Sequence, residues 1–268
     1  MTLTLALCTG VLVAMTTVCF ARAQPPAGAP GVAFYEVEHG GQRMRAAVYV
    51  PWNLARVPAG ERPALLFLHG YGESGTDGTR QLAVGLPPAA LLDAEAWPFV
   101  IIAPQKPVHD AEWGAFEPLV LAALERGIAM GGADARRVAI TGLSQGGHGT
   151  IALAAAHPGR FVAAAPVCGY IKPRFYADGL RPVRTARVDD DQTRAVADRA
   201  GHLPWRIYHG ALDEVVPVGE SRVLAQALAS AGADVELVEY DDLMHNSWDR
   251  AYRESGLAAF LRGVLSVE

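Results

Sequence analysis

A serine within a Gly-x-Ser-x-Gly pattern, at residues 142–146, is the residue best placed to do chemistry. The apolar residues 138–141 before it predict a strand, and residues 147–156 after it predict a helix. In that strand–turn–helix context, a sharp turn exposes the hydroxyl of Ser144 at the carboxyl edge of a sheet. The two glycines are needed because strand and helix approach each other closely there. The pattern therefore predicts a nucleophilic serine; the alternative is a glycine-rich connection with an incidental serine.

A serine hydroxyl is a weak nucleophile at neutral pH, so it needs a general base, and the base needs an orienting carboxylate. Asp213 follows the predicted strand at 205–208, and His245 follows the predicted strand at 235–240. Both loops leave the sheet edge that carries Ser144, in the order serine, acid, histidine that α/β-hydrolases use. The sequence thus predicts a catalytic triad of Ser144, Asp213 and His245.

Other acids and histidines compete for these roles. Glu214 adjoins Asp213, but Asp213 directly follows a small Ala-Leu turn and is preferred. The acids at 241–242 are more typical of an exposed loop. Among the histidines, His209 precedes the acid in the chain, and only His245 follows it. Chain order therefore favours His245 as the base.

A second glycine-rich loop, which follows the apolar stretch 64–68, predicts an oxyanion-binding backbone. Glycines at 70, 72 and 75 also match the spacing of a dinucleotide-binding fingerprint. That fingerprint opens a helix at once, whereas residues 76–79 continue as loop. We therefore expect a backbone N–H just after His69 and Gly70 to point at a substrate carbonyl.

Composition and patterning predict one α/β domain. The chain has 268 residues, 51% of them hydrophobic and 19% charged, and its formal net charge of −5 argues against nucleic acid or an anionic membrane surface as a partner. Strands and helices alternate over residues 32–268, which predicts an α/β-hydrolase fold with a mostly parallel central sheet and helices on both faces. A final helix is expected at 248–264. An excursion at about 170–203, rich in Pro, Arg and Asp, is expected above the sheet near the substrate entrance, or else as a decorative loop.

The amino terminus resembles a secretory signal peptide. Residues 3–20 are apolar or small, and residues 21–23 have the small-x-small form of a cleavage site. We therefore expect a mature chain from Gln24, a flexible leader at 24–31, and a secreted or periplasmic protein. No Lys or Arg stands near the start, so an uncleaved membrane anchor is the alternative. Cys168 is then the only cysteine of the mature chain, and it is expected as buried filler rather than as a nucleophile.

Longer motifs carry a resemblance to a known group of enzymes. They are residues 68–77, 103–105 with Trp113, 137–147, 209–213 with 216–217, and 245–249 with Tyr252. On these motifs the chain resembles secreted esterases near the feruloyl and acetylxylan esterases and polyhydroxybutyrate depolymerases, a branch often called predicted peptidases. The resemblance covers nearly all of residues 32–265. It implies the backbone N–H groups of Tyr71 and Gln145 as oxyanion donors.

These patterns together predict a secreted serine esterase that needs no cofactor and no metal. Its partner would be a small or polymer-derived ester, and it would not bind a membrane after signal cleavage. Trp113, Trp248 and Tyr71 are expected to form a shallow aromatic cleft for a ring or a short acyl group. The alternatives are a serine peptidase of the prolyl-oligopeptidase kind and a catalytically inactive hydrolase fold used for binding. Nothing in the sequence indicates the oligomeric state.

Overall fold

The computed structural model describes residues 27–176, 179–180 and 186–266. The predicted signal peptide therefore lies outside the described residues. Within these ranges no helix is both long enough and apolar enough to cross a membrane. The end of the expected leader forms hydrogen bonds with the domain. The N–H of Gly28 donates to the carbonyl of Met130 at 2.7 Å, and the carbonyl of Gly28 accepts from the guanidinium of Arg62 at 2.6 Å.

Ten strands occur in the described part of the chain. They are β1 (Gly31–His39), β2 (Gln42–Val50), β3 (Arg62–Leu68), β4 (Val100–Pro104), β5 (Ala133–Leu143), β6 (Ala164–Val167), β7 (Phe175–Tyr176), β8 (Gly179–Leu180), β9 (Trp205–Gly210) and β10 (Val235–Tyr240). Eight of them form one sheet in the order β1-β2-β4-β3-β5-β6-β9-β10, and β7 and β8 form a small separate ribbon. Strand β2 runs antiparallel to both of its neighbours, and every other pair in the large sheet is parallel.

Seven α-helices in the described ranges cover the sheet. They are α1 (Leu86–Leu92), α2 (Glu117–Gly131), α3 (Gln145–Ala156), α4 (Asp191–Ala200), α5 (Gly219–Ser230), α6 (Trp248–Arg253) and α7 (Ser255–Val264). Successive side chains of β3 point to opposite faces of the sheet. Leu66 and Leu68 join an apolar cluster with side chains of α2 to α5, while Leu65 and Phe67 join a second cluster with α1, α6 and α7. The predicted α/β-hydrolase fold, with helices on both faces of a mostly parallel sheet, is confirmed.

Two element predictions differ from the structure. The apolar residues 161–167 predict a strand, but the observed strand is shorter, since β6 begins only at Ala164. The single helix expected at 248–264 is wrong, because Glu254 adopts an extended backbone with ψ 150° and separates α6 from α7. Residues five apart in an unbroken helix point about 140° away from each other. The break therefore lets Tyr252 and Leu257 face the same apolar cluster.

Candidate active site

Ser144 occupies a strained turn between β5 and α3. Its backbone has φ 54° and ψ −115°, a conformation that L-residues rarely adopt. The flanking glycines explain how the turn fits. A Cβ on Gly146 would lie 1.9 Å from the carbonyl oxygen of Leu68, and a Cβ on Gly142 would lie 2.4 Å from that of Gly146. Only glycine is accommodated at both positions, so the turn can hold the serine hydroxyl at the carboxyl edge of the sheet.

The three side chains of the predicted triad lie in one hydrogen-bonded chain. Nε2 of His245 is 2.9 Å from Oγ of Ser144, and Nδ1 of His245 is 2.7 Å from Oδ2 of Asp213. An ionised carboxylate only accepts hydrogen bonds, so Nδ1 of His245 carries the proton. Nε2 is then left to accept the hydroxyl proton of Ser144, which is the arrangement that a general base requires.

Asp213 is held as a buried, hydrogen-bonded carboxylate. Its Oδ1 accepts the backbone N–H groups of Val215 and Val216, each at 2.8 Å, while its Oδ2 faces His245 and His209. Burial alone would raise the pKa of Asp213, but the hydrogen bonds from His209, His245 and Val216 outweigh it. They hold the pKa of Asp213 well below its usual range, so the carboxylate stays charged beside His245.

His209 is a member of the site whose role the sequence did not reveal. Its Nε2 lies 2.9 Å from the carbonyl of Val216 and 3.2 Å from Oδ2 of Asp213, and its Nδ1 lies 2.6 Å from Oγ of Ser221. A carbonyl cannot donate, so Nε2 bears the proton and Nδ1 accepts from Ser221. Chain order excluded His209 as the base and gave it no other role. The available signal was its place at the end of β9, four residues before the acid.

Two residues at the cavity edge carry the N–H groups that the resemblance implies as oxyanion donors. Gln145 is the first residue of α3, so its N–H has no acceptor within the helix. Its side chain donates to the carbonyl of Ala111 at 3.1 Å. His109 donates from Nδ1 to the carbonyl of Tyr71 at 2.9 Å. The loop that contains residues 109–111 therefore ties together the backbone segments that carry Tyr71 and Gln145.

A buried histidine fixes the loop after β3. Nε2 of His69 accepts the backbone N–H of Lys106 at 2.9 Å, so Nδ1 carries the proton and donates to the carbonyl of Gly70 at 2.6 Å. Burial lowers the pKa of His69 to about 3, which keeps the ring neutral. Lys106 is also buried, and its ammonium donates to the carbonyls of Val108 and His109. The position of the backbone near Tyr71 thus depends on a buried polar network.

A cavity of about 480 Å³ opens beside Ser144 and His245. Its remaining walls include Tyr71, Leu143, Tyr170, Arg174, Val215 and Trp248. Trp248 meets the ring of His245 edge-on, with the centroids 5.4 Å apart, in agreement with its expected place in the cleft. Tyr170 and Arg174 belong to the predicted excursion, so that segment contributes directly to the cavity.

Trp113 does not line this cavity, which corrects its expected role as a substrate contact. Its side chain is completely buried, and its indole N–H donates to the carbonyl of His69 at 3.1 Å. The ring also packs against Gly149, where an added Cβ would lie 2.8 Å from Trp113 Cδ1. Trp113 therefore supports the loop after β3 and the helix α3 from inside the core.

Cys168 is buried directly behind the Asp213–His245 pair, as expected of a filler residue. Its sulfur and one ligand atom from each of Asp213 and His245 lie within 4.8 Å of one another, and this is the only such group of three potential metal ligands among the described residues. Two of its members already hydrogen-bond each other. Burial raises the pKa of the Cys168 thiol well above its usual range, which disfavours the thiolate that a metal would need.

Comparisons with known proteins agree with this architecture. The solved structure of a thermostable esterase has 25% sequence identity and a TM-score of 0.63, with 87% of this chain and 62% of that chain covered. A ferulic acid esterase has 16% identity and a TM-score of 0.63, with coverages of 88% and 97%. Dipeptidyl peptidase 4 from Porphyromonas gingivalis has 16% identity and a TM-score of 0.61, with coverages of 87% and 35%. The chain thus spans less than two thirds of the length of the thermostable esterase and about a third of that of the peptidase.

The family comparison concerns the carboxyl-terminal part of the chain. The prolyl oligopeptidase family matches residues 120–267, which is more than half of the sequence and contains Ser144, Asp213 and His245. The esterase structures agree with the fold that the esterase resemblance implied, while the narrower feruloyl and acetylxylan branch stays a prediction. The chain belongs to the prolyl oligopeptidase family and has the α/β-hydrolase fold.

Proposed function

We propose that the protein is a serine carboxylic-ester hydrolase that acts through an acyl-enzyme. The observation that carries this proposal is the hydrogen-bonded chain from Ser144 through His245 to Asp213, which opens on a cavity. The strained backbone of Ser144 supports it, because such strain is concentrated at functional sites.

Each group of the site has a defined task in this reaction. Nε2 of His245 takes the hydroxyl proton as Oγ of Ser144 attacks the ester carbonyl. His245 then returns that proton to the departing alcohol, which leaves an acyl group on Ser144. A water molecule, deprotonated by the same ring, attacks the acyl group, and the ring returns this proton to Oγ of Ser144 as the acid is released. Asp213 stabilises the imidazolium that forms in each half of the cycle.

The oxyanion that forms at the carbonyl oxygen would be held by the N–H groups of Tyr71 and Gln145. The N–H of Gln145 lies at the amino end of α3, where the helix dipole also favours negative charge. The contacts of the 109–111 loop with Tyr71 O and the Gln145 side chain restrain both segments. Such preorganised donors stabilise the transition state without reorganising during the reaction.

The cavity favours short acyl or aryl esters, including hydroxycinnamoyl esters. The aromatic rings of Tyr71, Tyr170 and Trp248 provide flat apolar surface next to the serine. A volume of about 480 Å³ is at the lower end of the range for small-molecule sites. Plant polysaccharides and polyesters are candidate sources of such esters. The structural similarity to a ferulic acid esterase supports this substrate class.

A panel of 4-nitrophenyl acetate, butyrate and palmitate with methyl ferulate tests the proposal. We expect turnover of the short and aromatic esters, little turnover of palmitate, and loss of up to roughly a millionfold in kcat in Ser144→Ala. Rates that rise towards palmitate would contradict the substrate class. Undiminished activity in Ser144→Ala would contradict the catalytic assignment.

A serine peptidase is the second candidate, and the match to the prolyl oligopeptidase family favours it specifically. The two functions separate on matched substrates that differ only in the bond cleaved, such as 4-nitrophenyl acetate and 4-nitroacetanilide, with a prolyl 4-nitroanilide peptide added. The proposed esterase cleaves the ester far faster than the anilides, and a peptidase cleaves the prolyl anilide efficiently. Turnover that disappears in Ser144→Ala would also exclude a catalytically inactive binding protein.

A further inference from the structure

An arginine side chain lines the cavity, and no residue in the described part of the chain forms a hydrogen bond with its guanidinium. Arg174 follows β6 in the segment that leads to β7, and its guanidinium lies over the ring of Tyr170, 5.8 Å from the centroid. Its Nε is buried without a partner, and no other described side chain or carbonyl accepts a hydrogen bond from its guanidinium. The Nε–H of Arg174 has thus lost water without gaining an acceptor, and an anion bound by the guanidinium would offset that loss.

The surroundings hold Arg174 in a defined place. Its backbone N–H donates to Oε1 of Glu112 at 2.7 Å, and the Tyr170 hydroxyl lies 3.1 Å from both carboxylate oxygens of Glu112. The Tyr170 ring stacks on His148, with the centroids 4.7 Å apart and the planes 6° apart. The ring that supports the guanidinium is thus held on one face by His148 and at its hydroxyl by Glu112, so the arginine is presented to the cavity from a fixed base.

Glu73, the acidic residue that lines the cavity, does not pair with the guanidinium of Arg174 in the described part of the chain. The Glu73 carboxylate instead lies 4.0 Å from Nδ1 of His69. Leu143, Val215 and Trp248 make most of the remaining wall apolar, which strengthens the attraction between a cation and an anion inside it.

We propose that Arg174 makes this cavity selective for esters that carry a carboxylate, an inference that rests on the proposed ester hydrolysis. The planar guanidinium offers paired donors that match the two oxygens of a carboxylate. Such a group would lie on the acyl or the alcohol side of the ester, at the end of the cavity beside Tyr170. Ester hydrolysis itself is still performed by Ser144 and His245.

Two pairs of substrates that differ only in one negative charge test this selectivity. The first pair is mono-4-nitrophenyl adipate and its neutral methyl ester, with the charge on the acyl side. The second pair is 4-acetoxybenzoate and its methyl ester, with the charge on the leaving group. The measured quantity is the ratio of kcat/KM for the charged ester to that for the neutral ester. We expect Arg174→Met to lower this ratio roughly 10- to 100-fold for at least one pair.

Two further variants show whether the effect belongs to the guanidinium. Arg174→Lys keeps the charge but loses the planar fork, so its ratio is expected between those of the wild type and Arg174→Met. Lys172→Met removes a positive charge two residues away that pairs with Asp190, and its ratio is expected to equal that of the wild type. The inference is wrong if Arg174→Met leaves both ratios within about twofold of the wild type, or if Lys172→Met lowers them equally.

A binding measurement separates this inference from the proposed function. Turnover of the neutral esters and its loss in Ser144→Ala test hydrolysis alone. If no ester were hydrolysed, titration calorimetry of 4-acetoxybenzoate with the wild type and with Arg174→Met would still test the arginine. At least about tenfold weaker binding to the variant is expected. Equal affinity would overturn the carboxylate site whether or not the protein is an esterase.

Discussion

Replacement of Asp213 by asparagine tests the orientation of the base, His245, more specifically than removal of the Asp213 side chain does. Oδ1 of Asp213 accepts two backbone N–H groups, so the amide oxygen of the asparagine must take that position. The amide NH₂ then replaces Oδ2, at 2.7 Å from Nδ1 of His245. Two donors cannot face each other, so Nδ1 must lose its proton and Nε2 must gain one. The ring then presents an N–H to Ser144 and no longer accepts its proton.

The expected loss follows from this change of tautomer. Asp213→Asn should lower kcat on a short aryl ester roughly ten-thousand-fold, which corresponds to about 5.5 kcal/mol of transition-state stabilisation. The assay is initial-rate kinetics at saturating 4-nitrophenyl butyrate, with circular dichroism to verify folding. Asp242→Asn is the matched control, because Asp242 is an exposed acid near His245 that pairs with Arg250. A folded Asp213→Asn variant with more than about a tenth of the wild-type kcat would refute the orientation argument.

The same substitution changes the dependence of stability on pH. The pKa of Asp213 is lowered in the folded state. The carboxylate therefore stabilises the fold fully at pH values above its ordinary pKa, which is near 3.8. That contribution is lost as the pH falls towards the folded-state pKa. Between about pH 5 and pH 3, the thermal unfolding temperature of the wild type should therefore fall more steeply than that of Asp213→Asn. Parallel pH profiles for the two proteins would contradict the lowered pKa.

Three further predictions concern packing and export. Gly146→Ala places a Cβ 1.9 Å from the carbonyl oxygen of Leu68, so it should lower the free energy of unfolding in urea by more than about 2 kcal/mol. Gly114→Ala is the control, and it should be nearly neutral because the space around Gly114 is open. Trp113→Ala should lower the free energy of unfolding by about 3–5 kcal/mol, because the ring is fully buried; a variant as stable as the wild type would contradict this. Residues 1–23 predict export, so sequencing of the protein from a secreting host should begin at Gln24; an intact chain from Met1 in the membrane fraction would favour the anchor.

Apolar runs separated by turn residues explain why most of the fold could be predicted from the sequence. Strand β10 has the predicted bounds. Adjacent glycines are typical of turns, and Gly40 and Gly41, both with positive φ angles, join β1 to β2. The apolar run of β3 marks a strand buried on both faces. The sequence did not reveal the break between α6 and α7, because Glu254, where it occurs, is neither proline nor glycine.

Site residues whose positions depend on the order of the strands could be predicted from the sequence. Residues whose positions depend on packing between distant segments could not. Ser144, Asp213 and His245 each end a strand or follow one closely, so topology alone brings them to the same edge. The position of Trp113 depends on packing against His69 and Gly149, which no local pattern encodes. Arg174 belongs to a segment without periodicity, so its place on the cavity wall became visible only in the structure.

Covalent labelling of Ser144 tests the central claim most directly. The protein is treated with diethyl 4-nitrophenyl phosphate, the released 4-nitrophenol is counted, and the modified peptide is identified by mass spectrometry. The proposed chemistry predicts one adduct per chain on Ser144, loss of ester hydrolysis in proportion to labelling, and strongly reduced labelling in His245→Ala. Labelling of another residue, or full ester hydrolysis by a chain labelled at Ser144, would contradict it.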